Sequence, residues 1–164
     1  MQSARKRIGK ASMVLLIIYG AVVLYYVLFS ERLGRADAYD TLRYNLHPFE
    51  EIRRFIVYRE YVSPGAFVLN LLGNIFVFSP FGFLLPLYRL EKTGPVRVML
   101  YSFLFSLGIE LLQLVTRVGV FDVDDLILNT LGGLIGFLVY KVVFWIYHRN
   151  YESAEDFFRP QDKT

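Results

Sequence analysis

The chain has 164 residues, of which 55% are hydrophobic, 17% aromatic and 20% charged, with a net charge of +3 and a mean hydropathy of +0.40. That length fits one domain. A soluble domain of this size buries only roughly 60–70% of its surface and could not hide so much apolar side chain, so soluble, secreted and disordered classes are excluded together. With no cysteine and only His47 and His148 as histidines, a disulfide framework, a thiol nucleophile and thiolate metal sites are excluded, and a zinc centre is not expected.

The apolar residues lie in four blocks, taken here in chain order. Residues 1–10 form a basic tail with Arg5, Lys6, Arg7 and Lys10. The first block, 11–29, carries no charge and is long for a signal-peptide core of ~7–15 residues, so it reads as an uncleaved signal anchor. A loop from Ser30 to Gly65 follows. Within it Pro48 can open a helix, and Phe49, Ile52 and Ile56 recur at helical spacing, which predicts a short amphipathic helix on the outer membrane surface; a loop tucked against the spans is the alternative. The second block is 66–88, the third 98–115 with Glu110, and the fourth 126–147 with Lys141. Each matches the ~20 residues of a bilayer-spanning helix. The fold class is therefore all-α, a polytopic membrane protein with four transmembrane helices. A charged tail, 148–164, is expected to fray.

Basic residues in such a chain set topology. Eleven Lys and Arg fall on the side of the termini and the second loop, against seven in the first and third loops. This favours both termini in the cytoplasm. No basic run is interleaved with aromatics, so nucleic acid is not an expected partner.

Polar residues inside the spans carry a free-energy cost and are therefore informative. Ser106, Glu110, Gln113 and Arg117 follow at intervals of four, three and four, which predicts one helical face turned into the bundle, with Gln113 able to bridge Glu110 and Arg117. Asn70 and Asn74 share a face of the second span, where Pro80 removes a donor to the Phe76 carbonyl and predicts a kink or break. Asp122, Asp124 and Asp125 precede the fourth span, where carboxylates cap free N–H groups. Asn129 lies one turn beyond Asp125, and Gly132 and Gly136 form a small-xxx-small pattern for close helix approach. Capping and interhelical polar contacts would explain each residue singly. Together they predict a shared pocket opening toward the outer leaflet, with Glu110, Asp124 and Asp125 as candidate catalytic groups and Asn70, Asn74, Gln113, Arg117 and Asn129 as candidate binding groups.

Four ordered blocks resemble the VanZ-like family of bacterial membrane proteins: Asn45-Leu-His47-Pro48-Phe49; Asn70 through Asn74, Ser79-Pro80 and Gly82 to Pro86; Ser106, Glu110, Gln113 and Arg117; and Asp122 through Asn129 to Gly132. The resemblance covers about residues 45–136. It implies a four-span protein of the bacterial cytoplasmic membrane, in a family named for a member associated with teicoplanin resistance, with no reaction attached to it.

Four functions are weighed, the last of them a purely structural membrane subunit. The first is a protein that binds or modulates a lipid-linked or cell-wall component at the outer face. The second is an enzyme acting on a lipid-linked envelope substrate, with Glu110 or Asp124 as general acid or base and Arg117 holding a phosphate; its aspartates could instead hold Mg²⁺. The third is a small transporter, disfavoured by four spans without inverted-repeat symmetry. No Gly-rich phosphate loop, diagnostic metal cluster or Ser-His-Asp set is present, so no cofactor is expected.

Overall fold

In the computed structural model, residues 2–29, 42–58, 64–89 and 93–158 are described. Of the Lys and Arg counted for topology, Arg32, Arg35, Arg59, Lys92, Arg159 and Lys163 lie outside these residues. The elements in order are α1 (Gln2–Phe29), β1 (Tyr44–Asn45), α2 (Glu50–Val57), α3 (Pro64–Arg89), α4 (Pro95–Thr116), β2 (Phe121–Asp122) and α5 (Val123–Phe158). Four helices hold apolar stretches long enough to cross a membrane: Lys6–Phe29, Leu71–Tyr88, Pro95–Thr116 and Val123–Arg149. At 1.5 Å per residue even the shortest approaches the ~30 Å hydrocarbon thickness.

The helices run alternately up and down. Ser12 Oγ donates to the Leu84 carbonyl at 2.6 Å and the Tyr19 hydroxyl to that of Val77 at 2.7 Å, so α1 and α3 are antiparallel. Along α5, Asn129 meets Ser106 and, one turn on, Gly133 meets Ser102, so α4 and α5 are antiparallel too. On α3, Ile75 lies against Gly132 and Ser79 against Gly136, which makes α3 and α5 parallel.

This α3–α5 crossing is the tightest contact in the bundle. A Cβ placed on Gly136 would stand 1.9 Å from the Ser79 carbonyl oxygen, and one on Gly82 would stand 1.8 Å from that of Gly133. Lipid tails offer helices no hydrophobic reason to associate, so close backbone packing and dispersion must hold them. The glycines permit that approach. The remaining core is small and aromatic. Phe78 and Ile109 pack with Val23, Tyr19 and Phe105, and Phe81 stacks on Phe105 with ring centroids 5.2 Å apart. Val98, Phe137 and Tyr140 form a second cluster against Phe83. Val14, Ile17, Phe76, Val115 and Val142 face outward, as lipid-facing residues do.

Three sequence expectations are corrected. The break expected at Pro80 is absent, since residues 64–89 are helical throughout, past Pro80 and Pro86. Membrane helices tolerate proline where neighbouring helices and hydroxyls compensate. Here α5 packs against this same turn. The tail expected to fray after Tyr147 continues as helix to Phe158, a stretch with the helix formers Glu152, Ala154 and Glu155. The basic tail of residues 1–10 likewise belongs to α1 from Gln2 onward. The helix expected after Pro48 is present as α2.

Candidate functional site

At one end of the bundle α4 stops, the chain turns, and α5 starts. α4 ends at Thr116, where Arg117 adopts a left-handed conformation (φ 58°, ψ 20°) and the Val118 N–H returns to the Gln113 carbonyl at 3.2 Å. Spacing alone put Arg117 on the Glu110 face. Arg117 therefore stands just past the last helical residue, in the cap position, and is exposed. Gly119 closes the turn over Gln113: a Cβ at Gly119 would stand 2.9 Å from Gln113 Nε2.

Phe121 and Asp122 then pair in parallel with Tyr44 and Asn45, and the Phe121 N–H donates to the Arg43 carbonyl at 3.0 Å. Sequence periodicity gave no sign of this two-residue ladder. It ties the long first loop to the start of α5 and so positions everything that follows.

Four carboxyl groups meet at this junction. Glu110, 2% exposed, accepts the Asp122 N–H through Oε2 at 3.0 Å. Asp122 Oδ1 accepts the Asp124 N–H at 2.8 Å, an N-cap bond for α5, and the Asp122 carboxylate receives Asn45 Nδ2 at 3.3 Å from each oxygen. Asn45 Oδ1 in turn accepts the His47 N–H at 3.1 Å, an Asx turn leading into Pro48. Buried Asp124 accepts the backbone N–H of Phe49, the residue that caps α2. One carboxylate thus lies in the first turn of α5 and at the start of α2, where both helix dipoles favour negative charge. Asp125 accepts Asn74 Nδ2, which fastens α3 to α5.

Below this layer the α4–α5 seam stays polar. Asn129 Nδ2 donates to Ser106 Oγ at 2.8 Å, with both residues buried. Asn129 Oδ1 and Ser102 Oγ are buried and make no hydrogen bond among the described residues. Ser102 packs directly on Gly133, whose Cβ would stand 2.0 Å from Ser102 Oγ.

Of the residues singled out from the sequence, Glu110, Asp124, Asp125, Asn74 and Gln113 gather at this end, and Asn129 lies one helical turn deeper. Asn70 lies on α3, but its side chain is outside those described. Asn45 and Asp122 also belong to this junction, although the sequence placed neither among the candidate catalytic or binding groups. No group of three or more His, Asp or Glu side chains suited to a metal ion occurs among the described residues. An apolar groove of about 450 Å³, lined by Phe76, Ser79, Pro80, Phe83, Leu84, Gly136 and Val139, lies elsewhere, on the outward side of the α3–α5 crossing.

The bonds described so far from Glu110, Asp122, Asp124 and Asp125 run to groups of the protein itself. Their shared effect is to hold residues 44–58 across the bundle end. The protein named Protein VanZ from Enterococcus faecium is 28% identical over 127 residues, covering 77% of this chain and 71% of that protein. No solved structure gives a significant match. The VanZ/LLP1 family model matches residues 16–145, from the first span to the last and across every residue of the junction. With that match covering most of its length, this multi-pass membrane chain belongs to the VanZ/LLP1 family.

Proposed function

We propose that the protein binds or modulates a lipid-linked or cell-wall component at the outer face of the bacterial cytoplasmic membrane, and through this contributes to glycopeptide (teicoplanin) resistance. The observation that carries the reading is the convergence of Glu110, Asp122, Asp124, Asp125, Asn74 and Asn45, drawn from three helices and one loop, on a single end of the bundle. A bundle held by glycine contacts alone would not need it, since polar groups at membrane depth are costly. The excess of Lys and Arg on the opposite side supports an outward-facing position for this end. The match to Protein VanZ supports the link to resistance.

Binding is favoured over catalysis. Glu110 and Asp124 are only 2% and 4% exposed, and a general base must come within hydrogen-bond reach of its substrate. The test is teicoplanin susceptibility of a sensitive host expressing the wild-type chain or Glu110→Gln at matched membrane levels. The expected result is resistance from the wild type and a reduced effect from the variant. Equal resistance from both would remove the Glu110 end from the mechanism. No resistance from either would overturn the link to glycopeptides.

A further inference from the structure

The segment from Tyr44 to Tyr58 presents apolar side chains that stand exposed among the described residues. Leu46, Phe49, Ile56, Val57 and Tyr58 are all exposed, Ile56 by 65%. Arg53 and Arg54 are exposed in the same helix, and Arg53 Nη1 pairs with Glu50 Oε2 at 3.6 Å. Phe49 caps the helix at its start; at about 100° per residue Arg54 lies about 160° around from Ile56, and Arg53 flanks the Ile56 side at about 60°.

The position of this helix is set by the spans. β1 pairs with β2, and the Phe49 N–H is held by Asp124, in the first turn of α5. α2 is therefore fixed where membrane-crossing Val123–Arg149 begins and Pro95–Thr116 ends. At that level the surroundings change from acyl chains to headgroups. A short helix with a separate apolar side and exposed arginines, fixed at that depth, meets the conditions for lying in the interface plane.

We propose that α2 is an interfacial helix whose partner is the lipid bilayer itself. Ile56 and Phe49 enter the acyl boundary, and Arg53 and Arg54 reach the headgroup phosphates. Asp122 and Asp124 act as its anchors: their bonds to Asn45 and Phe49 hold the helix at the correct depth and link it, through the Asp122 N–H, to buried Glu110. The inference is independent of any resistance function.

The natural absence of cysteine makes the test direct. Single-cysteine variants Ile56→Cys and Arg54→Cys are spin-labelled and reconstituted into vesicles of phosphatidylethanolamine and phosphatidylglycerol. Collision rates are then measured with oxygen, which concentrates in lipid, and with a water-soluble nickel chelate. The expected result is an oxygen-to-nickel ratio several-fold higher at Ile56 than at Arg54. Adding Asp124→Ala should bring the Ile56 ratio down toward the Arg54 value, while the far-UV helical signal persists. Water-like ratios at both positions would overturn the proposal. So would shielding of Ile56 from both reagents, which would mean a protein surface covers it.

Discussion

Adding one methyl group at Gly136 should separate two helices. In Gly136→Ala the new carbon would stand 1.9 Å from the Ser79 carbonyl oxygen, 2.8 Å from its carbonyl carbon and 2.9 Å from the Phe83 nitrogen, where ordinary contact begins at 3.4 Å. All three neighbours are backbone, so no rotamer change relieves the clash. Relief requires α3 and α5 to part by about 1.5 Å at this point. Gaps of even 0.5–1 Å forfeit about a quarter to a half of each dispersion contact, and overpacking of this kind costs about 1–3 kcal/mol. Gly108, on α4, provides the control, because a Cβ there meets nothing within 4 Å. Gly108→Ala should gain up to about 1 kcal/mol from helix propensity alone. The assay is reversible SDS titration of the purified chain followed by far-UV circular dichroism. Gly136→Ala should unfold at lower SDS than wild type and Gly108→Ala at the same or higher SDS. If the two variants move together, the close α3–α5 crossing is wrong.

The polar seam supports further tests by the same titration. Ser106→Ala strands Asn129 Nδ2 in the core and should cost about 1–2 kcal/mol, while Ser106→Ala with Asn129→Leu should recover much of that loss, because removing both partners leaves nothing unsatisfied. Ser102→Ala deletes a buried hydroxyl that makes no bond and should be neutral or mildly stabilising; a loss above about 1 kcal/mol would reveal a partner for it. Asn74→Ala and Asp125→Ala should show a coupling of about 0.6–1.7 kcal/mol in a double-mutant cycle, the range for interhelical polar pairs in membranes, and additivity would rule out their bond. Glu110→Ala should lower stability by about 1–3 kcal/mol by leaving the Asp122 N–H without its acceptor, whereas Glu110→Gln keeps an acceptor oxygen and should stay near wild type.

Part of this protein could be read directly from residue order. Four uninterrupted apolar blocks fix four spanning helices, since hydrocarbon leaves a backbone few alternatives to helix. Pro95 places the start of α4 at its first turn. The spacing of Gly132 and Gly136 announces a close crossing, though not that α3 would be the partner. The spacing of Glu110 and Gln113 likewise announces a buried face.

Periodicity describes a helix only while the helix lasts, and here it misleads at the ends. Arg117 sits at the right interval from Gln113 but is itself the cap, in a left-handed conformation after the last helical residue. Pro80 predicts a kink or a break by local rules, yet α3 runs on through it as helix, packed against α5. The roles of the aspartates depend even more on tertiary structure. Asp122, Asp124 and Asp125 are adjacent or nearly so in sequence, but one caps α5 and holds Asn45, one holds the loop at Phe49, and one ties down α3 through Asn74. Those partners lie 77, 75 and 51 residues away. Sequence determined the residue types and the membrane they must live in, because both follow from local composition and period. Tertiary structure decided which N–H each carboxylate would accept, because that depends on which distant segments the crossing helices bring to the same end of the bundle.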